Sequence, residues 1–139
     1  MPGKEDPLRS LLLDADEVDK ARLAQGLQGI LGVDSNDGRL VLRPGFNDLD
    51  ATGKVLAYLL GALAARLLSL RASESVAPTE IQRETGLPKG TVNPKLSELY
   101  KARKVSKTKA GSYFMVPHQV DPSLKSIRSK ARLEEGSSS

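Results

Sequence analysis

The chain has 139 residues, of which 39% are apolar and 27% charged, so it can bury one hydrophobic core but cannot contain two large domains. It contains no Cys, which excludes disulfides, thiolate chemistry and Cys-ligated zinc and makes the cytoplasm the expected compartment. The formal net charge of +4 is unevenly distributed, since residues 1–82 carry 9 basic and 12 acidic side chains whereas residues 83–132 carry 12 basic and 3 acidic ones.

The N-terminal third predicts one helix and one strand. In residues 14–31, apolar side chains recur at helical spacing and acidic residues crowd the first turn, so we expect a helix that Gly32 ends. Residues 34–38 are rich in turn-forming residues. Residues 39–43 are predicted to form a short strand that stops at Pro44.

Residues 50–70 predict a long helix whose apolar side chains cover more than one face. Arg66 interrupts the apolar run, and the run is shorter than the ~20 residues that a membrane-spanning helix needs, so we expect a buried helix and no membrane partner. The N-terminal helix or a second copy of the chain must cover this helix. We therefore expect a homodimer, with a monomer whose core contains the helix as the alternative.

Two short helices and a hairpin are predicted next. Pro78 starts a helix over residues 78–85, and Gly86 supplies the backbone freedom for a sharp turn. Residues 88–102 form the next helix, which is the third when the long helix at 50–70 is counted as the first. Residues 104–116 alternate in the manner of a β-hairpin. Beyond them, residues 122–132 predict a basic helix and residues 136–139 are expected to be disordered.

One pattern of polar, glycine and apolar positions runs from Thr79 to Tyr113. The pattern consists of Thr79, Glu80, Ile81, Thr85, Gly86, Leu87, Pro88, Thr91, Val92, Leu96, Leu99, Val105 and Tyr113. About half of the chain thereby resembles the winged helix-turn-helix superfamily of transcriptional regulators. The resemblance implies a mainly α fold with a small β-hairpin, in which residues 48–117 form the winged domain. Residues 1–47 are then an N-terminal helical extension with a short strand and a candidate for dimerisation, and residues 118–139 are a basic C-terminal extension.

The candidate DNA-binding residues lie on the outward face of the third helix and in the hairpin, or wing. They are Lys89, Thr91, Asn93 and Lys95 on the helix, Lys101, Arg103 and Lys104 at its end, and Lys107 and Lys109 in the wing. The first group would read base edges in the major groove, and the other cations would contact phosphates. Two alternatives stay open: Thr91 can satisfy backbone groups at the helix start, and Arg103 or Lys104 can stabilise a helix C-terminus.

Pro94 departs from the pattern of the superfamily. It lies inside the predicted recognition helix, where it removes an amide donor and crowds the carbonyl group of Gly90. Either the helix begins later, near Thr91, or its first turn is kinked. The placement of Lys89 and Asn93 depends on which alternative holds.

No motif in the sequence predicts catalysis. His118 is the only His and follows the hairpin, where a His is usually a surface residue, and we expect neither a cofactor nor a metal site. We therefore expect a protein that binds double-stranded DNA without being an enzyme, through residues 88–102 and the wing at 104–116, as a transcriptional regulator. The alternative is a winged-helix module that binds protein or RNA within a larger complex. The presence of cations in both the third helix and the wing favours DNA.

Overall fold

A computed structural model describes residues 18–131, which are mainly helical with two small antiparallel sheets. This confirms the expected mainly α class with a small β-hairpin. The predictions for residues 14–17 and for 136–139 lie outside the described residues. In chain order the elements are α1 (Lys20–Leu27), β1 (Leu31–Val33), β2 (Leu40–Leu42), α2 (Pro44–Asn47), α3 (Ala51–Leu67), α4 (Pro78–Thr85), α5 (Lys89–Lys101), β3 (Val105–Lys107), β4 (Tyr113–Met115) and α6 (Val120–Ala131).

Helix α1 is shorter than the sequence predicts. The Asp19 carboxylate accepts a hydrogen bond from the backbone N–H of Arg22 at 3.1 Å and so caps the first turn. The helix ends at Leu27, because Gly29 adopts a positive φ of 78° and turns the chain out of the helix. The expectation that the helix continues through residue 31 and that Gly32 ends it is therefore wrong.

Strands β1 and β2 form a hairpin on the N-terminal side of α3. They pair antiparallel, with Leu31 opposite Leu42 and Val33 opposite Leu40. The predicted strand is thus confirmed, whereas Leu31, the first residue of its partner β1, was predicted to end a helix. Asp34 holds the connecting turn, because its side chain accepts a hydrogen bond from the N–H of Asn36 at 2.7 Å. After β2 the chain forms the short helix α2, which begins at Pro44.

Helix α3 forms the centre of the fold and lies buried along most of its length. Asp50 caps its start by accepting a hydrogen bond from the N–H of Gly53 at 2.8 Å, and all of residues 55–63 are buried. Helices α1, α4, α5 and α6 pack against it, as do β1, β2 and β4. The chain itself therefore covers most of the apolar side chains of α3, whereas Leu68 at the end of the helix is 59% exposed. Of the two covers that the sequence left open, the N-terminal helix α1 packs against α3, and no second copy is required to bury residues 55–63.

Helices α4 and α5 have nearly the bounds that the sequence predicts. Gly86 joins them with a φ of 79°, and Ile81 and Val92 are completely buried between them. Helix α5 begins at Lys89 and continues through Pro94, so the alternative of a start near Thr91 is wrong. Pro94 is exposed and belongs to the second turn, where the donor that it lacks would have bonded to the carbonyl of Gly90.

The second sheet consists of β3 and β4, and one residue from the segment between α3 and α4 pairs with it. Val105 pairs with Met115 and Lys107 with Tyr113 in the antiparallel β3–β4 hairpin. Val76 adds a third position, because its N–H donates to the carbonyl of Tyr113 at 2.8 Å and its carbonyl accepts from the Tyr113 N–H at 2.9 Å. Val76 is fully buried, although the polar residues Ser73, Glu74 and Ser75 directly precede it.

Helix α6 follows a 3-10 turn over Pro117–Gln119 and packs against α1 and α3. Its buried residues Val120, Leu124 and Ile127 join the same hydrophobic core as α3. Arg128 ties it to α1, since its Nη1 donates to the backbone carbonyls of Gln25 and Gln28 at 3.3 and 3.0 Å. None of the helices within residues 18–131 is long and apolar enough to span a membrane.

Candidate nucleic-acid interface

The turn between α4 and α5 is held by short-range hydrogen bonds. The hydroxyl of Thr85 donates to the carbonyl of Ile81, and its oxygen accepts from the N–H of Leu87 at 3.2 Å. Gly86 lies between them in the left-handed conformation, which costs glycine little because it has no Cβ. These contacts fix the direction in which α5 leaves the turn.

The four residues predicted to read base edges differ in exposure. Lys89 and Asn93 are exposed, whereas Thr91 and Lys95 are only partly so. Lys95 Nζ lies 3.7 Å from Glu98 Oε1 one turn further on, so part of its charge is balanced within the helix. Pro88 occupies the N-cap position of α5, and its side chain forms no capping hydrogen bond. Lys89 and Asn93 are the more accessible pair.

All five of the predicted phosphate-contacting cations are exposed. They are Lys101, Arg103, Lys104, Lys107 and Lys109. Within the described part of the chain, none of the five forms an ion pair with an acidic side chain. Arg103 turns the chain from α5 into β3 with a φ of 63°, which places the helix end and the wing next to each other in space as well as in sequence. These cations therefore belong to two consecutive, contacting elements.

An aromatic pair, which the sequence analysis did not single out as a site, lies where α5 meets the wing. The rings of Tyr100 and Tyr113 pack edge to face, with centroids 6.4 Å apart and an interplanar angle of 80°. Lys107 Nζ lies 5.7 Å from the centroid of the Tyr113 ring. Tyr100 is 48% exposed and is followed directly by Lys101. The only sequence signal for Tyr100 as a site residue was its position outside the apolar stripe of Val92, Leu96 and Leu99, which is buried.

A polar cluster behind α4 also escaped the sequence analysis. The Tyr58 hydroxyl donates to Glu80 Oε2 at 2.8 Å, and Arg71 donates to both carboxylate oxygens at 3.0 Å. Burial of Glu80 opposes its ionisation, but the hydrogen bonds from Arg71 and Tyr58 and the charges of Arg71 and Arg83 hold the pKa of its carboxyl below the usual value. Burial, together with the hydrogen bond to Glu80, raises the pKa of Tyr58. In this cluster the phenol of Tyr58 is neutral, and the opposite charges of Arg71 and Glu80 balance each other.

The remaining predicted feature of the sequence, the single His, lies away from these two clusters. His118 is exposed in the 3-10 turn before α6. Across residues 18–131, no three His, Asp or Glu side chains are grouped so that they could hold a metal ion. The nine predicted site residues lie on α5, on the turn after it and on the β3–β4 hairpin, and α5 contacts β3.

Comparison of the chain with protein-family models, with curated proteins and with solved structures finds no match.

Proposed function

We propose that this protein is a winged helix-turn-helix protein that binds double-stranded DNA, as a transcriptional regulator. The observation that carries the proposal is the exposed set of cations on two contacting elements: Lys89 and Lys101 on α5, Arg103 and Lys104 in the turn after it, and Lys107 and Lys109 in the wing. Cations collected on one helix and the adjoining hairpin attract a polyanion far more strongly than the same charges dispersed over the surface.

The order of the elements supports the winged-helix assignment. A helix, an extended residue, two helices joined by a Gly turn and a hairpin follow one another as α3, Val76, α4, α5 and β3–β4. Val76 pairs with Tyr113 and so adds one residue to the edge of the β3–β4 hairpin. The burial of Ile81 and Val92 holds the two helices of the unit together. This arrangement leaves the exposed face of α5 and the wing as adjacent surfaces.

In this proposal α5 enters the major groove and the wing contacts the backbone. Lys89 can donate to the guanine acceptors O6 and N7, and Asn93 can pair with an adenine edge, so these two side chains would supply sequence discrimination. Thr91 and Lys95 contribute less, because both are partly covered and Lys95 faces Glu98. The cations of the helix end and of the wing would supply affinity that does not depend on sequence.

In this proposal one copy of the chain carries both the helix and the wing that contact one half-site. The predicted homodimer rested on α3, whose apolar side chains α1 and α6 help to cover. Dimerisation stays a prediction that sedimentation of the full chain at tens of micromolar would test. A dimer would contact two half-sites about one helical turn apart, whereas a monomer would contact one.

The test is the binding of fluorescent mixed-sequence duplex DNA at increasing salt. We expect the logarithm of the affinity to fall linearly with the logarithm of the salt concentration, at a slope of ~0.9 for each phosphate contacted. Replacing Lys101 and Lys104 by Ala should lower the slope by ~1.8, since two contacts are removed. The matched control replaces Lys20 and Lys125, exposed cations of α1 and α6, and should leave the slope unchanged although the net charge is the same.

Two results would overturn the proposal. One is a flat salt slope, or a slope that both double variants lower by the same amount. In either case the affinity would not come from a defined cationic surface. The other is tighter binding to double-stranded RNA of the same sequence than to the DNA. A-form RNA has a deep and narrow major groove that α5 could not enter.

A further inference from the structure

Tyr113 lies where three parts of the proposed DNA-binding unit meet. Its backbone is hydrogen-bonded in both directions to Val76, and in the hairpin it is the partner of Lys107. Its ring meets Tyr100 of α5 edge to face. One residue therefore contacts the segment before α4, the end of α5 and the opposite strand of the wing.

The ring of Tyr113 also lies beneath the charge of Lys107. The distance of 5.7 Å between Lys107 Nζ and the ring centroid is within the range in which the negative face of an aromatic ring attracts a cation. Residues directly opposite in an antiparallel pair project to the same side of the sheet, so the backbone register keeps Lys107 beside this ring. A free lysine side chain samples many rotamers, whereas this one is restricted before any ligand binds.

Tyr100 connects this contact to the recognition helix. Its ring packs against Tyr113 on one side and is 48% exposed, and the cations Lys101, Arg103 and Lys104 follow it in the chain. Because both rings are stiff and each has only two side-chain torsions, the pair fixes the distance between the end of α5 and the wing better than two flexible side chains could.

We propose that Tyr113 is a positioning residue for nucleic-acid binding, which holds Lys107 and, through Tyr100, fixes the wing relative to α5. The inference rests on the proposed DNA binding, which it deepens by adding two residues that carry no charge. Its consequence is that the cations of α5 and of the wing meet a duplex as one preformed surface. Loss of the Tyr113 ring should therefore weaken binding even though every cation is retained.

The experiment compares Tyr113→Phe, Tyr113→Leu and Lys107→Ala in the full chain by duplex affinity and by its salt slope. Phe keeps the ring face and should bind within about twofold of the original protein. Leu removes the face and should weaken binding roughly threefold, as expected for an exposed cation–π contact of modest strength. In the Lys107→Ala background, Tyr113→Leu should cost less than in the original protein, because only the packing of Tyr113 on Tyr100 is then left to lose.

A second measurement does not depend on DNA. In the free protein, the side-chain methylene protons of Lys107 should show an upfield ring-current shift that is kept in Tyr113→Phe and lost in Tyr113→Leu. The exposed Tyr100 provides a further variant should Tyr113→Leu fail to fold: Tyr100→Leu should keep the Lys107 shift but still weaken duplex binding. Absence of the ring-current shift in the original protein would overturn the inference.

The two proposals fail in different ways. If the original protein does not bind duplex DNA in low salt, the proposed function is wrong and the positioning role falls with it. If the original protein binds but Tyr113→Leu binds equally well, or loses as much affinity with Lys107→Ala present as without it, the positioning role alone is wrong.

Discussion

Arg71 binds Glu80 through two parallel hydrogen bonds, Nη1 to Oε2 and Nη2 to Oε1, each 3.0 Å long. The same guanidinium donates from Nη2 to the carbonyl of Ser75 at 3.1 Å, and Tyr58 of α3 donates to Glu80 Oε2. A single carboxylate thus connects α3, the segment after it and α4. Because both side chains of the ion pair are only 22% exposed, solvent screens this contact less than an ordinary surface ion pair.

Replacing Glu80 by Gln should destabilise the fold by roughly 1–3 kcal/mol, since Arg71 would keep its charge in a half-buried site without a balancing carboxylate. Chemical denaturation measures the change in the free energy of unfolding. The matched control is Glu98→Gln, whose carboxylate is 66% exposed and 3.7 Å from Lys95. That change should have an effect within about 0.5 kcal/mol. Equal effects of the two substitutions would show that the Arg71 contact adds no stability.

The same ion pair predicts a loss of stability in acid. The pKa of Glu80 is lower in the folded protein than its usual value of 4.5. A carboxyl group whose pKa is lowered by folding binds protons more readily in the unfolded chain, so its contribution is complete above pH 4.5 and is lost as the pH falls further through the folded value. Thermal melts from pH 7 to pH 3 should therefore show a steeper loss for the original protein than for Glu80→Gln. Parallel curves would contradict this assignment.

The sequence predicted α4, the Gly86 turn and α5 well because the signals for these elements are local. A Pro in the first helical turn, a Gly at the end and apolar residues at helical spacing act within a few residues of one another. The hairpin was predicted for the same reason, since alternation and turn residues are short-range features. The nine candidate residues lie on the helix, turn and hairpin to which simple spacing assigned them.

The features that the sequence did not reveal depend on distant contacts. Ile30 and Leu31 fit the apolar stripe of a helix equally well, and only the pairing of β1 with residues 40–42 decides that Leu31 belongs to a strand. Val76 stands 37 positions before Tyr113, its partner in the sheet. Tyr58 and Glu80 are 22 residues apart. Periodicity cannot identify such pairs, because they arise only when the elements pack.

Replacement by Ala should have opposite effects on stability at two helical glycines, Gly26 of α1 and Gly90 of α5. A Cβ added at Gly26 would clash with Cδ2 and lie 3.0 Å from Cγ of the buried Leu124, so Gly26→Ala should destabilise the protein by roughly 1–2 kcal/mol. A Cβ at Gly90 of α5 would meet no atom within 4 Å. Gly90→Ala should stabilise the protein by up to about 1 kcal/mol through helix propensity. Thermal unfolding of the two variants measures both effects, and a stabilised Gly26→Ala variant would contradict the described contact of α1 with α6.

Asn93 should affect which duplexes are bound. Its side chain is exposed on α5, and an Asn that pairs with an adenine edge contributes roughly 1–3 kcal/mol of discrimination at one base pair. Selection of preferred sites from a random duplex pool, repeated with Asn93→Ala, should show relaxed preference at one position. An unchanged preference would mean that this residue does not contact a base.

The wing should behave in the opposite way, because its cations are proposed to contact phosphates. Lys107 and Lys109 are both exposed, one within β3 and one at the tip of the hairpin. Replacing the two together by Ala should lower the salt slope by ~1.8 and weaken binding by a similar factor for every duplex tested, since phosphates are the same in all sequences.

The measurement is the affinity for a panel that contains the preferred site and single-base variants of it, at one fixed salt concentration. The ratio of affinities between preferred and altered sites should stay constant in the wing variant while each affinity falls. A changed ratio with unchanged overall affinity would mean that the wing reads bases, in which case Lys107 and Lys109 belong with Lys89 and Asn93. A change in neither would mean that the hairpin does not touch the duplex, because two exposed cations beside a bound polyanion cannot be removed without loss of affinity.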